Sequence, residues 1–168
     1  QDRHSDVILV HKVERVSLPM RIVTKKEYEL SKAESEKAEA LIASDPKAAD
    51  QNLTRMTWNQ DVLSRYEQQK INPDPVMDFE VHVLRLGDIA IATNEFELYL
   101  DYGLRIQARS KALQTFVVQL AGPGSYLPTE KAVKGESYSA GIQSNLIGPE
   151  GGQILVDKTV EMINNMFP

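Results

Sequence analysis

Asn72-Pro73-Asp74-Pro75 constrains this chain more than any other stretch. Each proline lacks a backbone donor and pushes the residue before it out of the helical region, so no helix or inner strand runs through this point. The chain therefore divides into two segments of different character. Before the break lie long polar runs of helix-forming residues. After it, apolar residues alternate with polar ones.

Upstream, Val7 to Leu18 is rich in Val, Ile and Leu and reads as a strand ended by Pro19. Thr24-Lys25-Lys26-Glu27 has the form of a capping box, in which the threonine hydroxyl accepts from the amide three residues on while the glutamate reaches back. A helix is expected from there to about Ala43. It is polar almost all round, with a thin apolar stripe of Tyr28, Leu41 and Ile42. Asp45-Pro46 breaks it. A second helix, Asp50 to about Lys70, carries Leu53, Met56, Leu63 and Tyr66. Residues 20–72 are thus expected to form a helical hairpin on the outside of the domain.

Downstream, Phe79, Val81 and Val83 mark a half-buried strand. Gly87-Asp88 supplies a hairpin turn, and Ile89-Ala90-Ile91-Ala92 forms a short buried strand. Thr93-Asn94 leads into a helix expected from about Glu95 to Arg109. Thr115 to Leu120 is another strand, followed by the glycine-rich loop Ala121 to Tyr126. A short helix covers Thr129 to Val133, and residues 137–152 read as loop. The last helix, about Gln153 to Met166, has Val156, Val160, Ile163 and Phe167 on one face. Alternating strands and helices give an α/β class, a mixed sheet with flanking helices.

A length of 168 residues suits one domain, taken as 1–168, and 42% hydrophobic content is enough for a core. The net charge of −5 argues against a nucleic-acid partner, which needs clustered positive charge. Arg105, Arg109 and Lys111 form the longest basic cluster, at an expected helix end where cations complement the dipole. The absence of cysteine excludes disulfides and thiolate metal sites, and fits an exported protein. No run reaches the ~18 apolar residues of a transmembrane segment. The first residue is Gln1 rather than methionine, as in a processed or truncated product.

Sites in α/β proteins tend to form past the carboxyl ends of strands. Ala92 to Glu97 and Gly122 to Tyr126 occupy such positions, so a carboxylate from the first and a phenol from the second could meet on a metal or substrate. The simpler alternative is that Glu95 and Glu97 only stabilise a helix N-terminus. His4, His11 and His82 show no metal-ligand spacing and read as structural or solvated. Gly148-Pro149-Glu150-Gly151-Gly152 could offer amides to an anion, but more simply forms a tight helix entry.

Leu84 to Ile91, Asn94 to Glu97 and Gly103-Leu104-Arg105 together resemble the neutral/alkaline (non-lysosomal) ceramidase family, whose pattern there is Leu-Arg-Ile-Gly, an apolar strand, Pro-Ala-Glu and a helix with Gly-Arg-Arg-Leu-Arg. Thr115 to Val118 is similar to that family's next buried strand, and Gly124 to Glu130 to its Tyr-Ile/Leu-x-Thr-x-Glu loop. Tyr138 and Gly148-Pro149 also have counterparts. The bacterial branch matches best, and residues 76–168 form the ceramidase-like segment.

The resemblance implies a zinc-dependent amidase that cleaves the N-acyl bond of ceramide, with zinc held by two histidines, a glutamate and a tyrosine, and a serine near the metal. Only the last two ligands carry over, to Glu97 and Tyr126. A shifted alignment nominates Glu95, because Pro-Ala-Glu is Glu95-Phe96-Glu97 here. The histidines and serine lie upstream of any matching residue. The expectation is an incomplete half of a larger catalytic domain, the C-terminal part, inactive alone, whose zinc site is completed by a missing N-terminal half. Two other readings stand beside it: a non-catalytic binding or assembly module, and a metallohydrolase acting on another amide or ester.

Overall fold

Two eleven-residue strands, β1 (Leu9–Pro19) and β2 (Val76–Leu86), pair antiparallel along their whole length, from Leu9 opposite Leu86 to Pro19 opposite Val76. This computed structural model describes residues 6–45, 47 and 49–168. Gln1, His4 and Pro46 lie outside the described residues. The amide of Met20, just past Pro19, donates to the Pro75 carbonyl at 2.8 Å, which locks the two proline-marked strand ends together. Gly87 takes a φ of +58°, the left-handed conformation glycine adopts freely, and turns the chain into β3 (Ile89–Thr93). β3 runs antiparallel to β2.

After a two-residue strand β4 (Glu97–Leu98), helix α3 (Leu100–Arg109) carries the chain back to β5 (Gln114–Val118), which lies parallel to β3. The sheet is therefore mixed, in the order β1-β2-β3-β5. With its flanking helices it forms the α/β architecture expected.

Strand alternation sends Val16, Leu18, Phe79, Val81, Val83, Ala90 and Ala92 to one face, where all are buried. Helices α3 and α5 (Pro149–Asn164, which follows the short helix α4, Glu130–Lys134) cover that face, contributing Tyr102 and Ile106 from the first and Leu155, Val156 and Ile163 from the second. The last helix starts at Pro149, four residues earlier than its apolar pattern suggests, because Pro149 fits the first helical turn. Its glycines are a packing requirement. A Cβ on Gly152 would lie 2.4 Å from the Tyr102 ring, and one on Gly151 would lie 2.3 Å from Ile147 Cγ2. The Tyr102 hydroxyl donates to the Pro128 carbonyl at 2.9 Å, and burial pushes its pKa up to about 12. The basic cluster at the end of α3 reaches across to α5, where Arg105 bonds Gln153 and Arg109 pairs with Asp157 at 2.5 Å.

The opposite face of the same sheet is open. Leu9, Val13, Leu86, Phe116 and Val118 lie on it by alternation and register, and they are 43–69% exposed. His11 and His82 sit among them, stacked with ring centroids 5.3 Å apart.

Between β1 and β2 the chain forms the helical hairpin, α1 (Lys25–Ser44) and α2 (Ala49–Ile71). The capping box is present: the Glu27 amide donates to Thr24 Oγ1 at 3.2 Å and the Thr24 amide to Glu27 Oε2 at 2.8 Å. The expected stripe is corrected. Leu41 and Leu53 are exposed, and the buried positions are Ser31, Ser35 and Ala38 on α1 with Asn59 and Val62 on α2. Small side chains let the two helices approach closely, and larger apolar residues at those places would hold them apart.

Candidate functional site

β3 and β5 run parallel and adjacent, so their carboxyl ends open on the same side. The chain leaves β3 through Asn94, which is buried and whose Oδ1 accepts from the Phe96 amide at 3.0 Å. That local turn, of the kind asparagine forms readily, redirects the backbone before a helix can start. Phe96 is then buried against Phe79, with ring centroids 4.6 Å apart, and Glu97–Leu98 runs extended as β4. The helix expected from Glu95 therefore begins at Leu100, with Asp101 as the acid of its first turn. Glu95 and Glu97 are not helix N-terminal charges.

The chain leaves β5 through a segment bound to the same place. The Leu120 amide donates to the Phe96 carbonyl at 3.0 Å and the Ala121 amide to the Asn94 carbonyl at 2.9 Å. Leu120 takes a left-handed φ of 56°, a strained conformation for a side chain of its size. The glycines that follow lie hard against Glu95: a Cβ on Gly122 would sit 2.6 Å from Glu95 Cγ, and one on Gly124 would sit 2.3 Å from the Glu95 carbonyl oxygen. At Gly124 a side chain would meet backbone, which cannot give way, whereas at Gly122 it would have to push aside the Glu95 side chain.

It delivers β6 (Tyr126–Leu127), which pairs in parallel with β4, Glu97 opposite Tyr126. The two residues singled out from the sequence are thus direct neighbours. The Tyr126 phenol is held above its usual pKa, first by its hydrogen bond to the Glu97 carboxylate and then by burial. Glu95 occupies a different place, packed under Gly122.

Other groups surround this pair; of these the sequence resemblance named Tyr138, but not Tyr99, Ser137 or Ser139. The Tyr99 hydroxyl lies 2.7 Å from Ser139 Oγ and 3.2 Å from Ser137 Oγ. Tyr99 and Tyr138 both lie close enough to raise the Tyr126 pKa further. The Tyr126 amide donates to the Ser144 carbonyl at 3.2 Å, and Ser125 Oγ accepts from the Leu146 amide at 3.1 Å. The stretch 137–147, read as loop, thus acts as a bracket for β6 and includes a 3₁₀ turn at Tyr138–Ala140. No spacing in the sequence marks these contacts.

As a metal shell the arrangement is incomplete. A carboxylate and a phenol are two oxygen donors of the kind zinc accepts. Among the described residues no group of three His, Cys, Asp or Glu side chains could hold a metal ion. His11 and His82 are on the open sheet face, with His11 Nε2 3.1 Å from His82 Nδ1.

No protein-family model matches the chain, and no curated protein matches it. Among solved structures it is similar to a ceramidase complexed with C2, at a TM-score of 0.47 and 17% identity. That likeness covers 54% of this chain and 15% of the ceramidase chain.

Proposed function

We propose that this chain is the C-terminal part of a zinc-dependent, ceramidase-like amidohydrolase that cleaves the N-acyl bond of ceramide or a related lipid amide. Glu97 and Tyr126 supply two oxygen ligands to the zinc. An upstream segment of the same catalytic domain supplies the histidines and the serine. The observation that carries this reading is the pairing of Glu97 with Tyr126 in register, carboxylate against phenol, beyond the carboxyl ends of two parallel strands. The sequence resemblance over residues 79–167 supports it independently.

Zinc in such a shell supplies a water acidic enough to act as a nucleophile near neutral pH. The contribution of this chain is positional. Asn94, the glycine loop and the 137–147 bracket fix the two oxygens on short strands rather than on mobile loops. The open apolar sheet face supports the incomplete-domain part of the reading, because a face carrying Leu9, Val13, Leu86, Phe116 and Val118 gains by being covered. Its occupant is the upstream half of the domain.

Calorimetry and activity assays on the chain and on the longer protein test this. The isolated chain is expected to bind zinc weakly and to turn over no fluorescent ceramide, since two ligands make a poor zinc site. In the longer protein, Glu97→Gln is expected to lower both zinc content and kcat/KM by at least roughly 100-fold. Turnover by the isolated chain would sink the incomplete-domain reading. Full zinc occupancy in the Glu97→Gln protein would sink the ligand assignment.

A further inference from the structure

A cleft of about 420 Å³ opens between the helical hairpin and the bracket at residues 137–147. Gln51, Thr54, Arg55 and Trp58 line it from α2. Offsets of three, four and seven residues from Gln51 put all four on one face of that helix. Glu34 closes the cleft from α1 and Ser144 from the bracket. The Ser144 carbonyl accepts from the Tyr126 amide, but neither Glu97 nor Tyr126 lines the cleft.

The indole is the uncommon feature of this place. Trp58 is the only tryptophan in the chain and is 52% exposed, although this side chain gains more than most by burial. Among the described residues no ring stacks on it and no cation sits over it. Among the same residues, the indole Nε1 and the side chains of Gln51, Thr54 and Ser144 make no hydrogen bond. Asn59, which also lines the cleft, is by contrast buried and fixed. It donates to the Arg55 carbonyl at 2.7 Å and accepts from Gln143 at 3.1 Å. A flat apolar face thus shares the cleft with free neutral donors and acceptors, on a base that is already satisfied.

The walls narrow the kind of ligand. Arg55 and Glu34 are the ionic groups of the cleft, and they are paired with each other. The cleft is therefore neutral and holds no net attraction for an ion. A wholly apolar ligand would cover the amide and hydroxyl groups without bonding them. A sugar ring whose hydroxyls are all equatorial meets both demands. Its two faces carry only C–H bonds, which pack on the negative face of an indole, and its hydroxyls point outward around the rim. The volume lies within the range of small-ligand clefts.

We propose that this cleft binds a neutral sugar of the glucose configuration, one ring stacked on Trp58 and its hydroxyls bonded by Gln51, Thr54 and Ser144. Cellobiose is the probe. Because Trp58 is the sole indole, the tryptophan fluorescence of the chain reports on this place alone. A saturable change in emission is expected, with a Kd on the order of 1 mM. Gln51→Ala alters an exposed side chain and keeps the indole, and is expected to weaken cellobiose about fivefold through lost hydrogen bonds. Trp58→Ala, followed by saturation-transfer NMR, is expected to abolish binding while the urea midpoint stays close to that of the parent. Sorbitol, an open-chain polyol with no ring face, should not compete. No saturable change, equal binding of sorbitol, tighter binding of adenosine, or unchanged affinity in Gln51→Ala would each overturn the proposal.

Discussion

Ile163 on α5 and Val62 on α2 are both fully buried, but they are buried in different ways. Ile163 belongs to a continuous cluster that runs from Val16 on β1 through Phe79, Val81 and Phe96 to Met166. Val62 belongs to a small cluster with Val23 and Ile142, with Tyr28 and Tyr66 packed alongside. What the hairpin lacks in apolar contact is replaced by directed polar bonds. Gln69 accepts from the Val23 amide at 2.9 Å and donates to the Val23 carbonyl at 2.7 Å, so one side chain stands in for a strand partner. Gln143 bridges to Asn59 at 3.1 Å. The sheet half is held by area removed from water, which no single contact dominates. The hairpin is held by a few bonds, each of which matters locally.

That contrast predicts two kinds of damage. Ile163→Ala removes a buried side chain from the large cluster and is expected to cost about 2–5 kcal/mol. The whole chain should lose stability together, seen as a lower urea midpoint with an unchanged slope. Gln69→Ala removes two hydrogen bonds and leaves the Val23 amide and carbonyl without their partner, at a cost of about 2 kcal/mol. Its effect should be local: amide exchange accelerates across α1 and α2 while β2 and β3 keep their protection. If β2 amides were to lose as much protection as α2 amides, hairpin and sheet would form one cooperative unit and the contrast would fail.

The sequence discloses the parts of the fold that are decided locally. The period-two run around Phe79, the turn at Gly87, the capping box at Thr24 and the proline break after α2 each contain their own cause within a few residues. The α1 seam is not disclosed, because Ser31, Ser35 and Ala38 are buried for being small, and a hydrophobic pattern searches for large residues instead. The start of α3 is missed for a related reason. Glu95 to Tyr99 has helix-forming composition, but Asn94 turns the backbone and Tyr126–Leu127 offers β4 a partner from far along the chain. The candidate site is legible only as two residues worth naming. Their meeting depends on Gly122 and Gly124 lying flat against Glu95, and on the bracket at residues 137–147, neither of which has a local signature. Tertiary pairing overrides propensity here, as it commonly does for two-residue strands.

The smallest effect tests how the hairpin is aimed rather than how firmly it is held. Thr24 Oγ1 accepts from the Glu27 amide and donates to Glu27 Oε2, while Glu27 Oε1 accepts from Arg21. The cap thus begins α1 and also connects it to Arg21, whose other donors reach the Ala140 carbonyl at 2.7 Å and Asn145. Thr24→Ala removes the two hydroxyl bonds but keeps the Thr24 amide on Glu27 and the Arg21–Glu27 pair. A loss of about 1 kcal/mol is therefore expected, with Thr24→Ser close to the parent. The exchange rates of the first amides of α1 are the readout, since those are the donors the cap satisfies. If Thr24→Ala destabilised the hairpin more than Gln69→Ala, the attachment would run through the hydroxyl cap at the start of α1. The two clusters would then be joined mainly at the N-terminus of α1, and the Val23 clamp would be secondary.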